Sequence, residues 1–161
     1  MAEKDLIPLK IKIDYEMIEI PLLNFDEFIL KERIEIFAKR YYEKRGYIVF
    51  IINVKSKDLK LVRQDLNAYF PEVKIDFKMN GIPDLFIIKI NHENNIFTKR
   101  YCFVEIKSKN DNLRLDQLLW FYKHKDVNKK VVYFVEQDVD KLPTKEKLKI
   151  YNEFIEEFKK Q

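Results

Sequence analysis

The chain has 161 residues, 47% of them apolar and 36% charged, a balance that excludes a disordered polypeptide and fits one globular domain with its own core. Its 31 Lys and Arg against 27 Asp and Glu leave a formal charge of +4, which permits a polyanionic partner without requiring one. No stretch approaches the roughly 18 apolar residues of a membrane span, and the polar start has no apolar run behind it. The expected location is therefore cytoplasmic, or the host cytoplasm if the source is viral.

Residues 1–23 read as an N-terminal arm, irregular or in short strands, with alternation in Leu9 to Ile13 and Met17 to Leu22 broken by Pro8 and Pro21. From Asn24 or Asp26 to Arg45 the apolar residues recur at helical spacing, with those two residues as candidate caps and Gly46 as a stop. This helix carries Glu32 and Glu35 on its middle turns. Tyr47 to Val54 is apolar and β-branched, a buried strand of about eight residues. Ser56 caps a second predicted helix over Lys57 to Phe70, and Pro71 stops it.

Val73 to Phe77 alternates as a short strand would. The turn Gly81-Ile82-Pro83 leads into Asp84 to Ile90, which with Phe97 to Lys107 forms the best strand pair in the chain. Between them Asn94 and Asn95 tolerate the positive φ of a tight hairpin turn. Leu113 to Lys125 has a helical pattern, Val131 to Val135 is a further strand, and Thr144 to Lys160 is an amphipathic helix behind Pro143. Cys102, the single cysteine, lies in an apolar run and reads as a small core residue. His92 and His124 are far apart and read as surface residues, so no zinc set is present.

A hairpin turning at Asn94-Asn95 pairs Glu93 with Ile96, and nine steps outward Asp84 lies opposite Glu105. Both carboxylates then share one face about 5 Å apart at Cβ, and the period of two adds Lys107 to it. Leu85, Ile87, Val104 and Ile106 on one side, with Phe86, Ile88 and Phe103 on the other, predict a sheet covered on both faces. Carboxylates and a lysine at the end of such strands are costly unless paired or bound to metal. Two readings stand on these residues alone: a rim salt bridge of Lys107 with Asp84 or Glu105, or a metal-dependent hydrolytic site.

Gly81-Ile82-Pro83-Asp84, a hairpin, and Val104-Glu105-Ile106-Lys107 resemble the signature of the PD-(D/E)XK nuclease superfamily. More narrowly, Glu105-Ile106-Lys107 with Asp111, Leu113, Gln117 and Trp120 at their offsets resembles the VRR-NUC family. The likeness runs from about Gly81 to Trp120. It implies an α/β restriction-endonuclease-like core over a single nuclease domain 1–161, with a mixed sheet of about four strands flanked by helices on both faces.

The same resemblance implies Asp84, Glu105 and the backbone carbonyl of Ile106 as ligands of Mg²⁺ or Mn²⁺. Lys107 would orient water or stabilise the phosphorane. A first-helix glutamate would join them: Glu35, placed as in archaeal Holliday junction resolvases, with Glu32 the runner-up. Gln117 would face the site, and Trp120 and Leu113 would pack. Lys109, Lys123, Lys125, Lys129 and Lys130 flank the second core helix, where they could follow phosphates or simply be solvated. The implied activity is a DNA endonuclease acting on branched DNA as a homodimer. The alternatives are a flap or single-strand exonuclease related to RecB-type nucleases, whose Gln-x-x-Tyr motif the Gln117 to Trp120 stretch resembles, and a non-catalytic DNA-binding module.

Overall fold

The computed structural model describes residues 11–21, 27–53, 56–108, 111–137 and 142–159. Its elements are β1 (Asp14–Pro21), α1 (Glu27–Lys44), β2 (Tyr47–Ile51), α2 (Ser56–Tyr69), β3 (Leu85–Glu93), β4 (Ile96–Ser108), α3 (Leu115–Lys123), β5 (Asn128–Gln137) and α4 (Thr144–Lys159). The strands form one sheet in the order β1-β5-β4-β3-β2. The β2–β3 and β3–β4 pairs are antiparallel, whereas β4–β5 and β1–β5 are parallel. Helix α3 provides the crossover that a parallel β4–β5 pair needs.

The expected fold class is present, with one strand more than predicted. Residues 14–21 are not a peripheral arm but the edge strand of the central sheet, paired with β5 from Asp14–Lys130 to Pro21–Gln137. Pro21 is tolerated because it ends that edge strand. The alternation in Val73 to Phe77, by contrast, is not a strand. Val73, Ile75 and Phe77 pack against the core beneath α2 and α3, and the backbone of Asp76 between them bonds the side chains of Trp120 and His124 instead of a ladder. The candidate caps Asn24 and Asp26, and Val54 at the predicted end of the second strand, lie outside the described residues.

The hairpin follows the predicted register throughout, from Leu85–Val104 to Glu93–Ile96. Asn94 and Asn95 have φ of 51° and 64°, the left-handed pair that a two-residue I′ turn requires. The period of two then divides the strands between two cores. Leu85, Ile87 and Val104 join Phe37, Ala38 and Tyr42 of α1 on one face. Phe86, Ile88 and Phe103 join Leu66 of α2 and Trp120 and Phe121 of α3 on the other. Among the described residues no helix is long and apolar enough to cross a membrane.

Candidate active site

The same register carried one residue beyond Leu85 sets Asp84 opposite Glu105, on the α2–α3 face at the end of β3. Two features hold Asp84 there. Its Oδ2 accepts a 2.7 Å hydrogen bond from the Ile106 amide, and its Oδ1 accepts one of 3.4 Å from Asn53 just beyond β2. The residue is thus tied to both neighbouring strands. Asp84, Glu105, Lys107 and Gln117 are 7%, 4%, 9% and 4% exposed, so four polar side chains are withdrawn from water at one point.

Gln117 stands on the first turn of α3. Its Oε1 accepts from the Arg114 amide at 2.9 Å, which leaves the amide nitrogen to donate to Glu105 Oε2 at 3.2 Å. One capping interaction therefore aims a donor at the carboxylate. Gly81 permits this arrangement. It has φ of +91°, and a Cβ there would lie 2.7 Å from Gln117 N and closer still to the Asp116 carbonyl. Only glycine lets the turn before Asp84 approach the first turn of α3 so closely.

Glu35 approaches from α1, on the other face of the sheet. Burial, then the charge of Asp84 and a hydrogen bond to it, raise the Glu35 carboxyl to about 7. Glu105 is driven in the same direction, first by burial and then by a hydrogen bond to Asp84 and its charge, with Lys107 and Arg114 opposing. Asp84 thus sits between two glutamates that both take up protons more readily than usual. Lys107 forms no ion pair with Asp84 or Glu105, so the rim salt bridge is not formed.

The donor set suits a hard divalent cation. Oxygen ligands predominate, and a second proton on buried like-charged carboxylates is what such a cation replaces. Among the described residues no three His, Cys, Asp or Glu side chains already close around an ion position. One or two carboxylates with several waters are nonetheless the ordinary complement of Mg²⁺.

Other candidates are placed elsewhere. Lys109 and the Glu32 side chain lie outside the described residues. Asp111 accepts from Ser108 Oγ at 2.9 Å in the turn after β4, while Trp120 is fully buried and Leu113 packs against the same core. Lys123 pairs with Asp76, and Lys125 lies 5.3 Å above the Tyr122 ring. Lys129 is not available to phosphates: it is buried and donates to the carbonyls of Lys125 and Val127. Lys130 lies 3.7 Å from Glu16.

His124 is a further correction, since it is buried rather than superficial. It stacks on Trp120 at 3.5 Å, and its Nε2 accepts from the Asp76 amide at 3.0 Å. Asn53 and Arg114 were not foreseen. A lone asparagine after an apolar strand and an arginine before a helix carry no distinguishing spacing.

A mixed sheet flanked by helices, with an acidic residue before one hairpin strand and Glu-x-Lys on the other, defines a nuclease domain of the restriction-endonuclease-like superfamily. Within it, the VRR-NUC domain matches residues 30–134, and the chain belongs to the VRR-NUC family. No curated protein and no solved structure matches it.

Proposed function

We propose that the protein is a metal-dependent DNA endonuclease that acts on branched DNA in the manner of a junction resolvase, as a homodimer. The observation that carries the hydrolytic reading is the meeting of the buried Asp84 and Glu105 with Lys107 beside them and Glu35 hydrogen-bonded to Asp84. A binding module needs no such set, because buried carboxylates repel the phosphates it would hold.

Asp84 and Glu105, with the Ile106 carbonyl, would hold Mg²⁺ or Mn²⁺. Such an ion supplies a more acidic water and offsets charge on the scissile phosphate. The chain's own groups do the rest. Asp84 is preoriented by the Ile106 amide and Asn53, and Gln117 keeps Glu105 in one rotamer. Glu35, with its raised proton affinity, accepts a proton from the attacking water near neutral pH. Lys107 points its ammonium at the phosphoryl oxygens, where negative charge grows as the bond to the leaving oxygen breaks.

The junction-resolvase reading is supported by the position of Glu35, eleven residues before Gly46. Flap or single-strand cleavage is the second reading, favoured by a cationic cleft at the far end of α3. Labelled four-way junctions, flaps, single strands and duplex, each incubated with Mg²⁺, Mn²⁺ or EDTA, test activity and substrate together. Cleavage of branched forms with either ion and none with EDTA is expected; intact substrates under every condition would falsify the proposal. Sedimentation of the free protein tests the dimer.

A further inference from the structure

The last turn of α3 borders a concave region separate from the carboxylates. This cleft, about 430 Å³, is lined chiefly by Arg63 of α2, by Lys74, Asp76, Phe77 and Lys78 of the loop after it, and by Lys123 of α3. Four of these six side chains are cationic and one is anionic. Asp76 is already engaged, since Lys123 and the amides of Met79 and Lys78 hold its carboxyl down at about 2. Among the described residues Arg63, Lys74 and Lys78 have no carboxylate partner.

The adjoining imidazole adds no charge. His124 Nε2 must accept from the Asp76 amide while Nδ1 donates to the Trp120 carbonyl at 2.8 Å, which is the neutral tautomer. Three unbalanced cations therefore converge on a concavity, an arrangement that is unfavourable by itself and favourable around a polyanion. An aromatic ring stands among them, with the Arg63 guanidinium 5.5 Å above Phe77. A cationic groove whose arginine is held over a ring suits single-stranded nucleic acid, whose phosphates follow the charges and whose bases meet the arginine by cation–π contact.

The cleft and the carboxylates share one helix. Gln117, which touches Glu105, and Lys123 are six residues apart, about 9 Å along the axis at a rise of about 1.5 Å per residue. An unpaired strand spans more per nucleotide than the roughly 3.4 Å of a duplex strand, so that is at most two or three nucleotides.

We infer that this cleft holds an unpaired DNA strand within two or three nucleotides of the bond cut at Asp84 and Glu105. Branched DNA with an unpaired arm is then held more tightly than a fully paired junction. The position of the cut rests on the nuclease reading, whereas binding in the cleft does not.

Fluorescence anisotropy tests this on the whole protein in EDTA, with a labelled oligonucleotide of roughly 12 nucleotides as single strand and as duplex, over a range of NaCl. Lys74→Ala with Lys78→Ala weakens single-strand binding about ten-fold near 0.1 M salt. The same pair lowers the slope of log K against log salt by about 1.4, two phosphates at about 0.7 each. Lys74→Arg with Lys78→Arg restores both values, and Lys145→Ala with Lys149→Ala on α4 changes neither. Unchanged affinity and slope in the alanine pair overturn the inference, as does an equal loss on duplex. A protein that binds single strands through the cleft yet cleaves nothing with Mg²⁺ or Mn²⁺ upholds the cleft and overturns the nuclease reading. Cleavage with the alanine pair indistinguishable from wild type does the reverse.

Discussion

At the first turn of α3 Gln117 reaches into a group of carboxylates, and at its last turn His124 enters a network with Asp76 and Trp120. Both clusters are buried and both join α3 to the segment between α2 and β3. They differ in balance. Around His124 each ring nitrogen has one partner, and Trp120 Nε1 donates to the Asp76 carbonyl at 2.9 Å. Around Asp84 and Glu105 the hydrogen-bond donors, Asn53, the Ile106 amide and Gln117, are neutral, and burial together with the charge of Asp84 raises the proton affinity of two glutamates. A buried polar cluster that is satisfied stabilises the fold; one with uncompensated like charges lowers stability and marks a place where something charged is meant to bind.

The sharpest way to break this contrast is Glu105→Gln. Cleavage should fall on the order of 10³-fold while DNA binding in EDTA is retained, and the melting temperature of the metal-free protein should rise. Mg²⁺ or Mn²⁺ should raise the melting temperature of the wild type but not of this variant. Full activity in Glu105→Gln combined with Asp84→Asn would sink the assignment.

At the other end of α3, Trp120→Ala should do the opposite. Removing a fully buried ring that meets Phe103 edge-on at 4.8 Å and stacks on His124 should cost about 3–5 kcal/mol, read as a lower urea midpoint. An unchanged midpoint would show that this cluster is not structural.

Gly81→Ala tests the link between the two regions. A side chain at φ of +91° that collides with the Asp116 carbonyl should cost about 2 kcal/mol and move the turn bearing Asp84 away from Gln117. Stability and cleavage should therefore fall together; loss of one alone would separate them.

The smallest effect is in pH, and it has opposite signs at the two ends. Glu35 is raised to about 7, so its contribution is fully present below its unfolded value near 4.5 and is lost as pH rises through about 7. His124 is lowered, chiefly by burial; its contribution is present above about 6.5 and is lost as pH falls through its folded value. In EDTA, Glu35→Gln should therefore gain stability over the wild type as pH rises from about 4.5 to 7. The deficit of His124→Gln should shrink as pH falls below about 6.5. Melting curves across this range decide the matter, and equal pH dependence in all three proteins would contradict it.

Much of the site was legible before folding was considered. Asp84, Glu105 and Lys107 could be set on one face because hairpin pairing is local: a tight Asn-Asn turn and a period of two determine it. Gln117 was reached only through a family spacing, and its contact with Glu105 depends on Gly81 docking against α3. Val73 to Phe77 misled because alternation records which side chains are buried, and a loop pressed against two helices can alternate without a partner strand. His124 looked superficial because a lone histidine in a charged stretch carries no sign of the backbone groups that enclose it.

The hairpin, its register, the two apolar faces and the paired carboxylates were determined by the sequence itself, through interactions between residues close along the chain. The tertiary structure decided how distant segments meet there. It brought Glu35 from the helix on the opposite face, set Asn53 beside Asp84, and placed residues 14–21 at the sheet edge. It also gathered Arg63, Lys74 and Lys78 into one cleft. These placements depend on how separate elements pack, and spacing along the chain does not encode that.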